Sequence, residues 1–159
     1  MSENVFWIAY TASNVIAVLM AVAAYYNPRL ARLLYALLFA WACWMNAQTA
    51  LNNPNDYLDY AQYAMPVYRD FIDGWFGRHI APMVLLIAAG QGLIALSMLA
   101  KGWLFRSGCV GGIVFLLCIA PLGLGAAFPF SLIAGAGLWF LYRQGSDRWL
   151  WEKDLKTTI

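Results

Sequence analysis

Three stretches of the chain are long and apolar enough to cross a lipid bilayer as helices. They run from Val5 to Tyr26, from Leu30 to Leu51 and from Ile80 to Ala100, and the one charged residue among them is Arg32. A helix needs about 20 residues to cross the apolar core of a bilayer, where charged side chains are costly. The sequence therefore predicts an all-α, polytopic transmembrane helical bundle.

A fourth uncharged stretch, Gly108 to Tyr142, is too long for one ordinary span and short for two. Its middle, residues 121–129, contains two prolines and two glycines, and both residue types interrupt helices. We expect a tight hairpin that divides this stretch into two spans, residues 108–124 and 125–142. The alternative is one long span with a kinked or re-entrant centre.

The basic residues favour five spans, with the N-terminus outside and the C-terminus in the cytoplasm. In this topology, eight of the ten Lys and Arg residues are inside, four of them in a cytoplasmic tail of residues 143–159. Only Arg69 and Arg78 lie outside, in a loop of residues 52–79. Lys and Arg near span ends concentrate on the cytoplasmic side. Four spans would leave four basic residues inside and six outside, so residues 1–159 are expected to form one domain of five spans.

The composition excludes several other classes of protein. Of all residues, 63% are hydrophobic and 11% are charged, whereas about a quarter of the residues in a soluble domain are charged. The net charge is +2 and no basic run occurs, so no nucleic-acid partner is expected. The three cysteines do not make a disulfide framework.

Neither a catalytic site nor a cofactor or metal site is expected from the sequence. His79 is the single histidine, which excludes a haem between two histidines of this chain and a zinc site with three histidines. No Asp or Glu lies within a predicted span, whereas ionisable residues at membrane depth mark ion and proton pathways. This pattern argues against an ion-coupled pump and against a proton channel.

A few amide side chains lie within the predicted spans and need hydrogen-bond partners there, since an unpaired polar group in hydrocarbon costs several kcal/mol. Gln91 is predicted near mid-membrane, and Asn14 of the first span lies at the nearest depth. We therefore predict that Asn14 and Gln91 form a structural polar pair. Asn46 and Gln48 lie closer to the outer surface and are predicted to be ligand contacts.

A polar pocket near the outer leaflet is the candidate functional site, and packing between helices is the alternative role for its residues. Its amides would come from three spans and its roof from loop tyrosines, since Tyr and Trp favour membrane interfaces. The candidate ligand-binding residues are Trp41, Trp44, Asn46, Gln48, Tyr57, Tyr60 and Gln91.

Residues 29–106 resemble the DoxX-like small bacterial integral membrane proteins. The resemblance lies in the run Arg32-Leu-Leu-Tyr-Ala-Leu-Leu-Phe-Ala-Trp, in the loop from Pro54 to Pro66, and in Leu85-Leu-Ile-Ala-Ala-Gly-Gln-Gly-Leu-Ile-Ala-Leu-Ser-Met-Leu. Members often have a lysine late in the second span and a glutamate in the third, where this chain has Gln48 and Gln91. The resemblance implies a multi-pass protein of the bacterial inner membrane; the group usually has four spans, and some members are accessory subunits in quinone-linked sulfur oxidation.

Three functional hypotheses remain open at this point. The first is a non-enzymatic protein that binds a quinone, a lipid or another small apolar molecule in an outer-leaflet cleft, or that acts as an accessory membrane subunit. The second is a membrane subunit of a quinone-linked oxidoreductase whose cofactor lies in a partner. The third is a passive transporter of small molecules. Expected partners are membrane lipids, with a membrane protein or a second copy of the chain as further possibilities.

Overall fold

The computed structural model describes residues 3–152, and within them it contains six α-helices and no strand. The helices are α1 (Glu3–Tyr26), α2 (Pro28–Asn52), α3 (Pro66–Asp73), α4 (Ile80–Leu99), α5 (Gly102–Ile119) and α6 (Phe130–Gln144). Short 3₁₀ segments cover Pro54–Gln62, Phe76–Arg78 and Ala120–Ala126.

Four helical segments are long and apolar enough to cross a membrane. They are Asn4–Tyr26, Pro28–Asn52, Ile80–Leu99 and Gly102–Ala126, the last of which combines α5 with the 3₁₀ segment that follows it. The prediction of a polytopic helical membrane protein is confirmed at this level. The α6 helix has 15 residues, which is about 22 Å of helix against an apolar core of about 30 Å.

The five long helices form a closed ring in the order α1, α2, α4, α5, α6, with α6 packed against α1. Consecutive helices in this order run antiparallel. Because five is an odd number, one neighbouring pair must be parallel, and that pair is α1 and α6. Tyr10 and Asn14 of α1 donate to the carbonyls of Phe128 and Ala127 just before α6, and Gln144 at its end donates to Ala24 near the end of α1.

The boundary between α1 and α2 follows from two adjacent residues. Asn27 caps α2, and its side-chain oxygen accepts a hydrogen bond from the amide of Leu30 at 3.1 Å. Pro28 occupies the first turn of α2, where its missing N–H leaves no donor unsatisfied. The predicted start of this span at residue 30 is thus two residues late.

The chain turns between α5 and α6, within the fourth uncharged stretch where a hairpin between two spans was predicted. Gly123 has a φ of +61° and interrupts the 3₁₀ segment, and Ala127 follows with a φ of +53°. A Cβ atom on Gly123 would lie 2.6 Å from the carbonyl oxygen of Tyr63, so this turn is also in close contact with the loop after α2. The α5 helix begins at Gly102, six residues before the predicted start of that span.

Residues 53–79, here called the cap, cover one end of the ring. The amide of Met65 donates to the carbonyl of Pro121 at 3.0 Å, and the hydroxyl of Tyr68 donates to the carbonyl of Cys118 at 2.9 Å. The rings of Phe6 and Tyr63 stack with centroids 6.2 Å apart. The cap therefore shares its end of the ring with the start of α1 and with the hairpin.

The other end, here called the arginine end, is held together by Arg32. This guanidinium is 5% exposed and donates to the carbonyls of Met98, Ala100 and Arg148 and to the hydroxyl of Ser146. It also lies 4.7 Å from the centroid of the Phe105 ring. Arg32 thus connects α2 with the C-terminal carbonyls of α4, with α5 and with the chain after α6.

The centre of the ring is tightly packed between these two ends. Tyr35 of α2 is fully buried, and its hydroxyl donates to the carbonyl of Ala134 in α6 at 2.7 Å. Gly112 and Gly137 allow this close packing, since a Cβ on either would lie within 2.6 Å of Leu138 or Tyr35. These contacts fix the position of α6 against α2 at the centre of the ring.

Candidate functional site

A cavity of about 440 Å³ lies at the cap end of the ring, between α2, α4, α5 and the cap. Its walls are apolar and rich in aromatic rings, which is typical of sites for small apolar ligands. The lining residues are Leu38, Phe39, Ala42, Asn46, Tyr57, Tyr60, Tyr68, Phe71, Ile72, Phe76, Val84, Ile87, Gln91, Phe115, Leu116, Cys118, Ile119, Leu122, Gly125, Ala126 and Phe130.

A short chain of hydrogen bonds forms the polar part of the wall. The hydroxyl of Tyr57 donates to Oδ1 of Asn46 at 2.7 Å, and Nδ2 of Asn46 donates to Oε1 of Gln91 at 2.8 Å. Gln91 is 2% exposed, and its Nε2 atom has no acceptor among residues 3–152. This chain therefore ends in an unfilled donor beside the cavity.

The predicted pairing of Asn14 with Gln91 is wrong. Nδ2 of Asn14 donates to the carbonyls of Tyr10 and Ala127, and Gln91 pairs with Asn46 instead. The physical reason is the order of the helices in the ring, because α4 is adjacent to α2 and α5 but not to α1. Equal depth in the membrane was therefore a weaker guide to the partner than adjacency in the ring.

Four of the seven predicted ligand-binding residues line the cavity, namely Asn46, Tyr57, Tyr60 and Gln91. The other three lie outside it. Trp41 and Trp44 contact each other on the outer face of α2, with ring planes 42° apart, and they are 62% and 52% exposed. Gln48 is also exposed, and its side-chain oxygen accepts from Asn52 at 3.1 Å.

Two stacked tyrosines cover the cavity on the cap side. The rings of Tyr57 and Tyr60 lie nearly parallel with centroids 6.0 Å apart. Burial raises the pKa of Tyr60. Burial is also the main cause that raises the pKa of Tyr57, and the neighbouring Tyr60 raises it further. Both phenols therefore stay protonated and neutral at physiological pH, which keeps this side of the cavity free of charge.

The exposed part of the cavity lining, here called the opening, lies between α3 and the end of α5. Phe71 and Cys118 are the two exposed residues among its lining, and the hydroxyl of Tyr68 donates to the carbonyl of Cys118 beside them. Both exposed side chains are apolar or weakly polar. The opening therefore suits a molecule that arrives from an apolar environment.

Charged groups are absent from the described part of this site. None of the lining residues is Asp, Glu, Lys, Arg or His. Within residues 3–152 there is also no group of three or more His, Cys, Asp or Glu side chains that could hold a metal ion. The site offers hydrogen bonds and aromatic contacts to a ligand.

Sequence reasoning missed several cavity residues that a helical pattern could have found. Phe39 and Ala42 lie seven and four residues before Asn46, so all three share one face of α2. Val84 and Ile87 stand in the same relation to Gln91 on α4. The apolar residues four and seven positions before each amide would therefore have identified both walls of the cavity.

Comparisons with known proteins identify no relative. No protein-family model matches the chain, and no curated protein or solved structure matches it significantly. The functional argument therefore depends on the geometry of the cavity.

Proposed function

We propose that this protein is a non-enzymatic membrane protein that binds a small apolar molecule in the cavity beneath the cap. The cavity itself carries the proposal, since 440 Å³ of apolar space is enough for a ligand of several rings or for part of a lipid chain. Its opening between α3 and α5 would admit such a molecule from the surrounding membrane.

The proposed topology has five spans, with the cap outside and the arginine end in the cytoplasm. Support comes from the basic residues at the arginine end, where Arg29, Arg32, Lys101 and Arg106 lie close to the chain that follows α6. Lys and Arg favour the cytoplasmic side of a membrane. The fifth span would consist of α6, which is parallel to α1. An alkaline phosphatase fused to the end of the chain should be inactive, and activity there would contradict this topology.

The same proposal includes a place in the bacterial inner membrane and a relation to the DoxX-like proteins. The resemblance spans residues 29–106, and this range contains both members of the amide pair, Asn46 on α2 and Gln91 on α4. The ligand would then be a quinone, a lipid or a molecule of similar polarity.

The test is to purify the protein in mild detergent and to identify retained small molecules by mass spectrometry of an organic extract. Two matched variants probe the cavity. Ala42→Trp places an indole among the lining residues, and Ala40→Trp places the same group on the exposed face of α2. We expect the retained molecule to be lost from Ala42→Trp and kept by Ala40→Trp.

Two results would contradict the proposal. One is a wild-type protein that retains no molecule beyond the bulk lipids present in a control micelle. The other is equal retention by both tryptophan variants. A protein that co-purifies in a fixed ratio, with no retained small molecule, would instead favour an accessory subunit.

A further inference from the structure

We infer that the cavity selects neutral molecules that carry a hydrogen-bond acceptor, such as a carbonyl oxygen, and that Nε2 of Gln91 is the donor. This inference rests on the proposed function, because it specifies which apolar molecules the cavity takes. It is carried by the direction of the hydrogen-bond chain and by the absence of charge from the lining.

The hydrogen-bond chain runs in one direction. An amide side chain has one acceptor end and one donor end. Asn46 accepts from the Tyr57 hydroxyl through Oδ1, so its Nδ2 atom faces Gln91. Gln91 in turn accepts through Oε1, so Nε2 is the atom left over. The network therefore presents the Nε2 donor of Gln91 at its end, whereas both amide oxygens already accept a hydrogen bond.

The leftover donor belongs to a buried residue and has no partner among the described side chains and carbonyls. Gln91 is 2% exposed, and Nε2 has no acceptor within residues 3–152. Buried N–H groups in folded proteins almost always have a partner, because an unfilled donor costs free energy. Gln91 lies in the cavity wall. A ligand oxygen in the cavity is the partner that the geometry leaves room for.

The lining also excludes charged ligand groups. No cationic or anionic side chain lies among the lining residues of the described chain. Transfer of an unpaired charge into such a site is strongly unfavourable. A phosphate headgroup, a carboxylate or an ammonium group would therefore stay outside, and the group beside Gln91 must be neutral.

Aromatic rings dominate the rest of the wall. Eight of the 21 lining residues are Phe or Tyr, and aromatic pairs gain energy beyond the area that they bury. The exposed lining residues belong to α3 and α5, whereas the amide pair belongs to α2 and α4. A ligand whose oxygen reaches Gln91 thus extends across the cavity from the opening.

The test compares two probes of equal skeleton. 1-Tetralone is a neutral bicyclic ketone, and tetralin is the same bicycle without oxygen. Their binding is measured by equilibrium dialysis into identical micelles that contain wild-type protein, Gln91→Met or Gln48→Leu. Each probe is compared between proteins, so its partition into detergent cancels. Gln48→Leu is the matched control, because it removes an amide from α2 outside the cavity.

We expect Gln91→Met to weaken 1-tetralone binding by about two- to tenfold, the range for one hydrogen bond, and to leave tetralin binding unchanged. Gln48→Leu should change neither. Tyr57→Phe is a second variant, for use if Gln91→Met does not fold. It frees the Asn46 amide to rotate and should reduce the preference for the ketone.

The outcomes separate the two proposals. If both probes bind and Gln91→Met weakens both or neither, the inference is overturned while the proposed binding function stands. If neither probe binds the wild-type protein, the inference is overturned, and the retention test described above decides the proposed binding function. If only the ketone loses affinity, in Gln91→Met or in Tyr57→Phe, the inference is supported.

Discussion

The two ends of the helical ring treat buried polar side chains in opposite ways. At the arginine end, Arg32 makes four hydrogen bonds and a contact with an aromatic ring. At the cap end, Gln91 is buried to a similar extent but leaves the donor Nε2 without a partner. At the arginine end, the polar group connects three parts of the chain. At the cap end, part of the hydrogen-bond donor capacity of Gln91 stays unused beside a cavity.

This difference separates the end that holds the backbone in place from the end at which ligand binding is proposed. A buried cation with filled hydrogen bonds fixes one arrangement of the backbone, because any movement would leave it unpaired. A partly filled amide pair contributes less to stability and remains available to another molecule. Departures from full polar satisfaction are expected at functional sites.

The largest effect is expected at the arginine end. Arg32→Met should lower the free energy of unfolding by about 3 kcal/mol or more, because it removes several charge-assisted hydrogen bonds to buried carbonyls. Arg29→Met is the control, since Arg29 is exposed and donates one hydrogen bond, to Leu150. Unfolding in mixed micelles measures both. Equal losses in the two variants would remove the contrast between the ends.

The turn beneath the cap should give the next largest effect. Gly123→Ala forces a Cβ into a positive-φ position, 2.6 Å from the carbonyl oxygen of Tyr63. We expect a loss of about 2 kcal/mol. Gly90→Ala is the matched control, because a Cβ there meets no atom within 4 Å and the change favours helix by up to about 1 kcal/mol. The two thermal midpoints should therefore move in opposite directions.

The amide pair should be expendable for stability once it is removed as a whole. Gln91→Leu alone should cost about 1–2 kcal/mol, because it leaves Nδ2 of Asn46 unpaired. Adding Asn46→Leu and Tyr57→Phe should restore the free energy of unfolding to within about 0.5 kcal/mol of wild type, since both amides and the linked hydroxyl are then removed together. A triple variant that is less stable than the single one would show that this network, like Arg32, holds the fold.

The smallest effect concerns the response of the cap to alkaline pH. Burial raises the pKa of Tyr60, so the folded protein keeps the phenolic proton that the unfolded chain loses above about pH 10. The stabilisation from Tyr60 is therefore complete below that pH and falls as pH rises further. Tyr60→Phe should make the thermal midpoint less sensitive to pH in this range. The same alkaline loss in variant and wild type would contradict this assignment.

Much of the helical framework could be predicted from residue type and length alone. The apolar runs from Val5, Leu30 and Ile80 became α1, α2 and α4 with ends shifted by a few residues. The physical reason is that a bilayer imposes length and apolarity on any helix that crosses it. The two prolines of residues 121–129 marked the turn because proline interrupts a helix.

The site was harder to predict because it depends on which helices are neighbours. Asn46 and Gln48 were predicted to act together. Residues that are two positions apart in a helix are separated by about 200° around its axis and face different sides. Gln48 accordingly points away from the cavity that Asn46 lines. The ring order that brings Asn46 to Gln91 is not encoded in the length or hydropathy of any single helix.

The parallel contact between α1 and α6 has a consequence for biosynthesis. The hydrogen bonds that close the ring join residues 113 to 120 positions apart in the chain. Domains are synthesised from the N-terminus at about 5–20 residues per second, so α1 exists for several seconds before its partner. During that interval Asn14 lacks the carbonyl of Ala127, and the membrane or an insertion factor must accommodate an open ring until the last helix arrives.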